Sequence, residues 1–482
     1  MSEELKQEIE AAKNLGRAAR RKNERILQKK YNDKSIRILS GKTFKKSEAL
    51  NKEQRRNLIK DKNLLKELLK IINKYLPMLN RLISELTDKR NKSYITYNMR
   101  TIFMTRLFAL ICGITTMTEI SSTDKFNSEE AIKNLSSICN QKLKEIPDWQ
   151  TMQDVIEQLD IKEIENIRKY IVKALIRNKM FDRYRYNGDF QLLVDATGIS
   201  SHDYNLNGNC LSRKTKNKKG KKTIKYYKQV LEAKIVVGDI VISLDTEWIE
   251  NTTMDTEKQK QDCEINAFKR MAPRIKKNYP KLKFIITGDA LYATTPMIDV
   301  CKDNKWHYIF NLKKDRLKNV YEDFQDNVNY KNETTKEHYK LSSCIRFKGN
   351  TFSALSYEEK QGDKVIIFNY ITDLNVNNYN IETIVAMGRR RWKIENEGFN
   401  EQKNGTYSIS HLCSRNANAI KIHYYFIQIA HIIRQLLEFG SKLVKDMKLK
   451  TKREVSYFIT TALTSQVSNF DNLETNFQLR FD

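Results

Sequence analysis

The chain has 482 residues, 87 Lys and Arg against 59 Asp and Glu, and a formal net charge of +28. That length exceeds one ordinary core and predicts two to four domains, and the charge excess asks for a polyanionic partner, nucleic acid first. Seven scattered cysteines with no Cys-x-x-Cys pair exclude a paired-cysteine zinc site and fit a reducing compartment; no signal peptide or bilayer-length apolar run is present, which predicts a soluble, intracellular protein.

Residues 1–60 hold 18 basic and 8 acidic residues. With the amphipathic stretch that follows (Leu64, Leu65, Leu68, Ile71, Ile72, Tyr75, Leu79, Leu82, Ile83, broken near Pro77), they predict a basic helical DNA-binding region over 1–90. A second helical region is expected over 91–184, with Asp148 or Thr151 capping a helix inside it. The pattern then changes. Strands are predicted at 190–200, 225–237, 239–250, 282–288 and 306–313, and helices at 256–278 and 295–304. Three sequential strands followed by alternating helices and strands is the order of an RNase H-like core, whose first part spans 185–313. Residues 314–380, with strand-like stretches at 339–347 and 365–372, read as a β-rich insertion. A helix over 384–404 and a long amphipathic helix over 419–444 complete the core (381–440), and 441–482 form a polar C-terminal tail. Between the first two strands, residues 213–228 carry nine basic residues and no acid, Lys218, Lys219, Lys221 and Lys222 among them. Such a run cannot bury itself; it either lies along DNA or forms a solvated hairpin tip.

Two apolar β-branched runs end on an aspartate: Leu192-Leu193-Val194-Asp195 and Phe284-Ile285-Ile286-Thr287-Gly288-Asp289. A strand that carries a carboxylate to the edge of a buried sheet holds a ligand rigidly. Magnesium takes oxygen ligands, and two such ions about 4 Å apart serve phosphodiester displacement. Asp195 is the expected bridge between them, with Asp289 and Glu395 flanking. On a regular helix Val385, Trp392 and Phe399 fall within about 40° of one another and form the sheet-facing stripe, Glu395 lies about 60° from Trp392, and Glu397 points the opposite way. Glu395 is therefore the third carboxylate and Glu397 its reserve. Asp245 and Glu247 are candidates for supporting groups, Trp306 and His431 for core residues. Tyr226 and Tyr227 either stack on unpaired bases or are exposed strand aromatics.

The wording Gly288-Asp289-Ala290-Leu291-Tyr292-Ala293, the run Arg390-Arg391-Trp392-Lys393-Ile394-Glu395-Asn396-Glu397-Gly398-Phe399-Asn400, and Gln428-Ile429-Ala430-His431-Ile432-Ile433 together resemble the DDE transposases of bacterial insertion sequences over roughly residues 185–440. The resemblance implies an α/β fold: an RNase H-like catalytic core interrupted by a β-rich insertion, between a helical N-terminal DNA-binding region and a helical C-terminal part. It implies Asp195, Asp289 and Glu395 as catalytic metal ligands for two Mg2+ ions (Mn2+ substituting), with Arg391 and Lys403 on the transposon-end backbone. The implied partners are inverted-repeat ends and target DNA, bound by a homodimer at the nucleoid in the bacterial cytoplasm. Two positions depart from the motif. Gly388 stands where the superfamily has a tyrosine, and Gln402 where it has a lysine, with Lys403 one step late. A π-bulge absorbs one extra residue, and Gly398 is its expected position. The alternatives are a transposase-derived nuclease without strand transfer and a non-catalytic DNA-binding protein.

Overall fold

A computed structural model describes residues 3–13, 17–31, 62–122, 126–216, 220, 222–251, 261–326, 328, 330–333, 337–361, 364–449 and 451–481. They form two units, divided between Asp61 and Lys62. In the first, α1 (Glu3–Lys13) and α2 (Arg17–Lys30) bury Leu5, Ala12 and Leu27 together, and Lys30 Nζ donates to Glu8 Oε1 at 2.7 Å. Residues 32–61, the rest of the basic segment, lie outside the described residues.

The second unit begins with α3 (Leu64–Tyr75), whose three-to-four spacing buries Leu64, Leu65, Leu68, Leu69, Ile71, Ile72 and Tyr75. Asn63 caps it, accepting the Lys66 N–H. The chain breaks at Pro77 and restarts as α4 (Leu79–Ser84). Both helices pack within the second unit. The next long helix, α5 (Met99–Cys112), is buried on nearly every side and ends at Gly113, whose φ of +86° ends the helix in the left-handed region. It lies against the helix Ala417–Gly440, which is buried almost throughout its length. Arg106 sits inside this contact, donating to the Thr115 carbonyl at 3.0 Å and bonded to His423 Nδ1 at 3.1 Å. Helices α6 (Trp149–Gln158), capped by Asp148, and α7 (Ile161–Arg177) pack on the same long helix.

The sheet that follows holds ten strands among the described residues. Strand β1 (Phe190–His202) pairs antiparallel with β3 (Lys222–Val237), whose far edge carries β2 (Leu211–Lys216) along Lys222 to Tyr227 and β4 (Ile240–Ile249) from Gln229 onward. On its other side β1 pairs in parallel with β5 (Phe284–Gly288), and β5 with β6 (His307–Asn311). The completely buried run of β5 fits a strand covered on both faces. The β-rich insertion continues this same sheet. Strands β7 (Tyr330–Glu333), β8 (Glu337–Phe347), β9 (Asn350–Gln361) and β10 (Lys364–Thr372) form an antiparallel meander, and β10 docks on β6.

Helix α8 (Glu264–Asn278) packs on β4, and α9 (Thr295–Asp303) links β5 to β6. The former starts eight residues later than the sequence predicts; residues 252–260 lie outside the described set. After β10, α10 (Ile381–Arg389) stops short. Here Arg391 N–H bonds Gly388 O, Lys393 N–H bonds Arg390 O, and Ile394 N–H bonds Arg391 O, all i to i−3. A π-helix over Ile394–Asn400 follows, then one α-turn over Glu401–Asn404. The tightened turn shifts the helix phase and corrects the expected stripe. Trp392 is 48% exposed, and Ile394 joins Phe399 against Leu193, Val236 and Val241 instead. The chain then runs through α11 (Ala417–Gly440) and α12 (Lys452–Thr464). Among the described residues no helix is long and apolar enough to cross a membrane.

Candidate active site

Burial along β1 is complete from Phe190 to Val194 and relaxes at Asp195, so the strand core fixes the backbone from which this carboxylate projects. Asp195 Oδ1 accepts the Ala196 N–H at 2.9 Å, and Oδ2 lies 3.5 Å from Arg391 Nη1. Burial pushes its pKa up to about 6; Arg391 and the Ala196 N–H pull it down, and the charges of Asp289 and Glu395 push it up again. Asp289 follows directly on β5 and accepts the Leu291 N–H at 2.8 Å. The turn after it folds Tyr292 back on Gly288, where an added Cβ would stand 2.8 Å from the Tyr292 ring. Glycine is required there by packing, not by φ.

Glu395 lies exposed at the start of the π-helix, and it is this glutamate whose charge reaches Asp195. Glu397 is half-buried, and its Oε2 has no partner among the described residues. The wide π-turn also sets the residues beyond it. Gln402 is fully buried, its Nε2 donating to Gln428 Oε1 at 2.9 Å and bonded to His431 Nδ1 at 3.0 Å. Lys403 is half-buried beside the acidic groups; burial lowers its pKa, opposed by Glu395 and Asp195. The π-helix expected around Gly398 is thus present, and Lys403 rather than residue 402 faces the carboxylates. Position 388 is filled from the neighbouring strand, because a Cβ on Gly388 would stand 2.5 Å from the Tyr370 ring.

Other expected residues fall differently. Arg391 is 8% exposed, held between Asp195 and the Trp392 ring, 4.7 Å from its guanidinium carbon. Lys222 is exposed on β3 opposite Lys216, whereas Lys218, Lys219 and Lys221 lie outside the described residues. Lys228, at the end of the basic run, is buried and donates to Asn209 Oδ1 at 3.0 Å. Tyr227 lies under the Arg213 guanidinium, and Tyr226 packs toward Leu206, Cys210 and Ile420. Asp245 and Glu247 pair with Arg274, at 2.7 Å each, and so face α8. Trp306 and His431 are core residues, as the sequence suggests.

One acidic residue has no counterpart in the sequence reading. Glu264, the first residue of α8, lies beside Asp195 and Asp289, and burial together with their charges pushes its pKa up to about 7. A helix start after a motif-free stretch gave no signal for it. Among the described residues no three His, Cys, Asp or Glu side chains converge closely enough to hold a metal ion. The donor set nevertheless fits one: every group is a carboxylate oxygen, the chemistry that hard divalent cations take.

A mixed sheet ordered β4-β3-β1-β5-β6, with one acidic group midway along β1, one directly after β5 and one on the helix returning after an insertion, defines an RNase H-like core. The chain belongs to the DDE transposase family: the family described as Transposase DDE domain matches residues 188–433, and the region described as DDE_Tnp_1-associated matches 81–170. Among solved structures, it is similar to a piggyBac transposase in a cryo-EM synaptic complex with hairpin DNA, at 12% identity and a TM-score of 0.42, covering 83% of this chain and 80% of that one. No curated protein matches the chain.

Proposed function

We propose that the protein is a DNA transposase that binds the ends of its own element, cleaves phosphodiesters with divalent cations held by Asp195, Asp289 and Glu395, and joins the freed ends to target DNA. The observation that carries this reading is a convergence of three elements: β1 and β5 pair in parallel with Leu193 opposite Thr287, so Asp195 and Asp289 follow side by side, and Arg391, four residues before Glu395, ties the returning helix to Asp195 at 3.5 Å. Bound cations supply activation of the attacking oxygen and stabilisation of the leaving one. The protein positions and neutralises. Arg391 holds Asp195 in one orientation, the Ala196 and Leu291 amides fix one oxygen of each aspartate, and Lys403 offers an ammonium where a scissile phosphate would approach. Exposed Arg213, Lys214, Lys216 and Lys222 on the β2–β3 arm fit the sequence-independent, salt-sensitive part of DNA binding.

Excision from a plasmid carrying the gene in its native flanking DNA tests the assignment of the third acid. Glu395→Gln should abolish excision while DNA retention persists, and Glu397→Gln should leave excision within a few fold of wild type. Excision by Glu395→Gln would contradict the reading. Cleaved but never joined ends would favour a nuclease descended from a transposase.

A further inference from the structure

Buried carboxylates in this core are answered by basic groups. Asp245 meets Arg274 at 2.7 Å, Glu247 meets Arg270 and Arg274 at 2.7 Å, Glu250 meets Lys421 at 2.6 Å, and Glu232 lies 3.7 Å from Lys234. Half-buried Glu264 is not so answered, and neither are half-buried Asp289 and Glu397. Among the described residues no Lys, Arg or His pairs with Glu264; its hydrogen-bond partner is the Gln229 amide, which donates to Oε1 at 3.3 Å, and the charges reaching it are those of Asp195 and Asp289. Gln229 sits on β3 opposite Gly198, beside the register shift in β1, three residues before the Glu232 that pairs with Asp195. The tether therefore holds Glu264 at the end of the sheet where the aspartates emerge.

A second unanswered group lies in the same place. The Tyr292 hydroxyl is completely buried, has no partner among the described residues, and feels Glu264 most, then Asp195 and Asp289. Its ring is wedged between Phe268 and Phe310, at centroid distances of 5.8 and 6.1 Å, and against Gly288, so it cannot turn away. A buried carboxylate with no counter-charge is costly unless a cation joins it, and a buried hydroxyl with no acceptor is costly as well. Both costs fall together when a cation occupies the space between the carboxylates and Tyr292 donates to one of them, as groups around metal ligands usually do.

We propose that Glu264 is a fourth carboxylate of the metal site, a direct ligand to a divalent cation shared with Asp195 and Asp289. The assignment rests on the reading of those two aspartates as metal ligands. Its test is a Mn2+ titration of the metal-free, full-length chain by calorimetry, comparing wild type, Glu264→Gln and Asp195→Asn, with melting temperature read before and after metal. The glutamine keeps the shape and can still bond Gln229. It should weaken Mn2+ binding by about tenfold or more and shrink the metal-induced rise in melting temperature, while the metal-free variant melts no lower than wild type. A glutamate with a merely structural role would give the reverse: unchanged Mn2+ affinity and a lower metal-free melting temperature. Weakening in both variants supports the proposal. Weakening in Asp195→Asn alone overturns Glu264 as a ligand and leaves the aspartates standing, and weakening in neither overturns both. Iron-directed backbone cleavage of the wild-type chain gives a second readout that needs no variant. Cuts are expected beside residues 195, 289 and 264, and cuts beside the aspartates alone would also overturn the assignment.

Discussion

Asp195 is held between opposing influences: desolvation and two acidic neighbours favour its proton, while Arg391 and the Ala196 amide favour the charge. Because the folded pKa, about 6, is raised above the unfolded value, the residue's contribution to stability is fully present below about pH 4 and is lost as pH rises through about 6. Wild type and Asp195→Asn should therefore melt at similar temperatures in metal-free buffer near pH 4.5, and the variant should melt higher near pH 8. A constant gap across that range would show that Asp195 is not buried among like charges. Gln402 makes a separate prediction. Its position carries lysine in the motif that this chain resembles, yet here it is sealed beneath Gln428 and His431, with buried Lys234 donating to the same Gln428 oxygen at 3.0 Å. Burial already lowers Lys234 to a pKa of about 8. Gln402→Lys would add a second buried ammonium beside Lys234, this one with no carboxylate of its own, and should destabilise by about 3 kcal/mol, measured by denaturant unfolding.

At the scale of elements, the returning helix shows what a sequence carries and what it hides. The one-residue displacement of Lys403 announced a π-helix, and one spans Ile394–Asn400. The facing of Trp392 was not legible, because a wheel drawn at constant pitch has no knowledge of the i to i−3 bonds at Arg391, Lys393 and Ile394. The charge of exposed Glu395 is felt at Asp195, but the stripe that predicted its facing is not the one that packs. The two glycines in this segment separate packing from helix pitch. Gly388→Ala drives a methyl into the Tyr370 ring and should cost about 1–3 kcal/mol. Gly398→Ala meets Lys234 and Val241 no closer than 3.5 Å and should be neutral or slightly stabilising. Thermal denaturation of the pair reads both, and equal losses would contradict this account of the segment. Asp195 and Asp289 were legible because each closes an apolar β-branched run, and such runs mark buried strands. Glu264 was not, since its neighbours are brought together only by the pairing of β1, β3 and β5. Strand β2 was hidden by its own charge: Arg213–Lys216 falls in the basic run 213–228, read as lying along DNA or as a hairpin tip, and its pairing shows only once β3 is seen to start at Lys222.

For the molecule as a whole, the +28 charge gains a direction where the β2–β3 arm presents Arg213, Lys214, Lys216 and Lys222 to solvent. Replacing Lys214, Lys216 and Lys222 with alanine should weaken DNA binding across sequences. It should also flatten the salt dependence by about 0.9 in log–log slope for each phosphate no longer neutralised; an unchanged slope would take the arm off the DNA. The helical layer, buried against α11, gives the sheet and its returning helix a common support, so the carboxylates are held by one core. In the proposed reading this core cuts DNA with metal held by Asp195, Asp289 and Glu395. Its most direct test is single-turnover cleavage of the element's own end DNA by the purified full-length chain in Mg2+, beside Asp195→Asn, with DNA binding of both measured on the same duplex. Metal-dependent cleavage by wild type is expected, with a loss of more than about a hundredfold in the variant at equal binding. Cleavage by Asp195→Asn at the wild-type rate would contradict that reading.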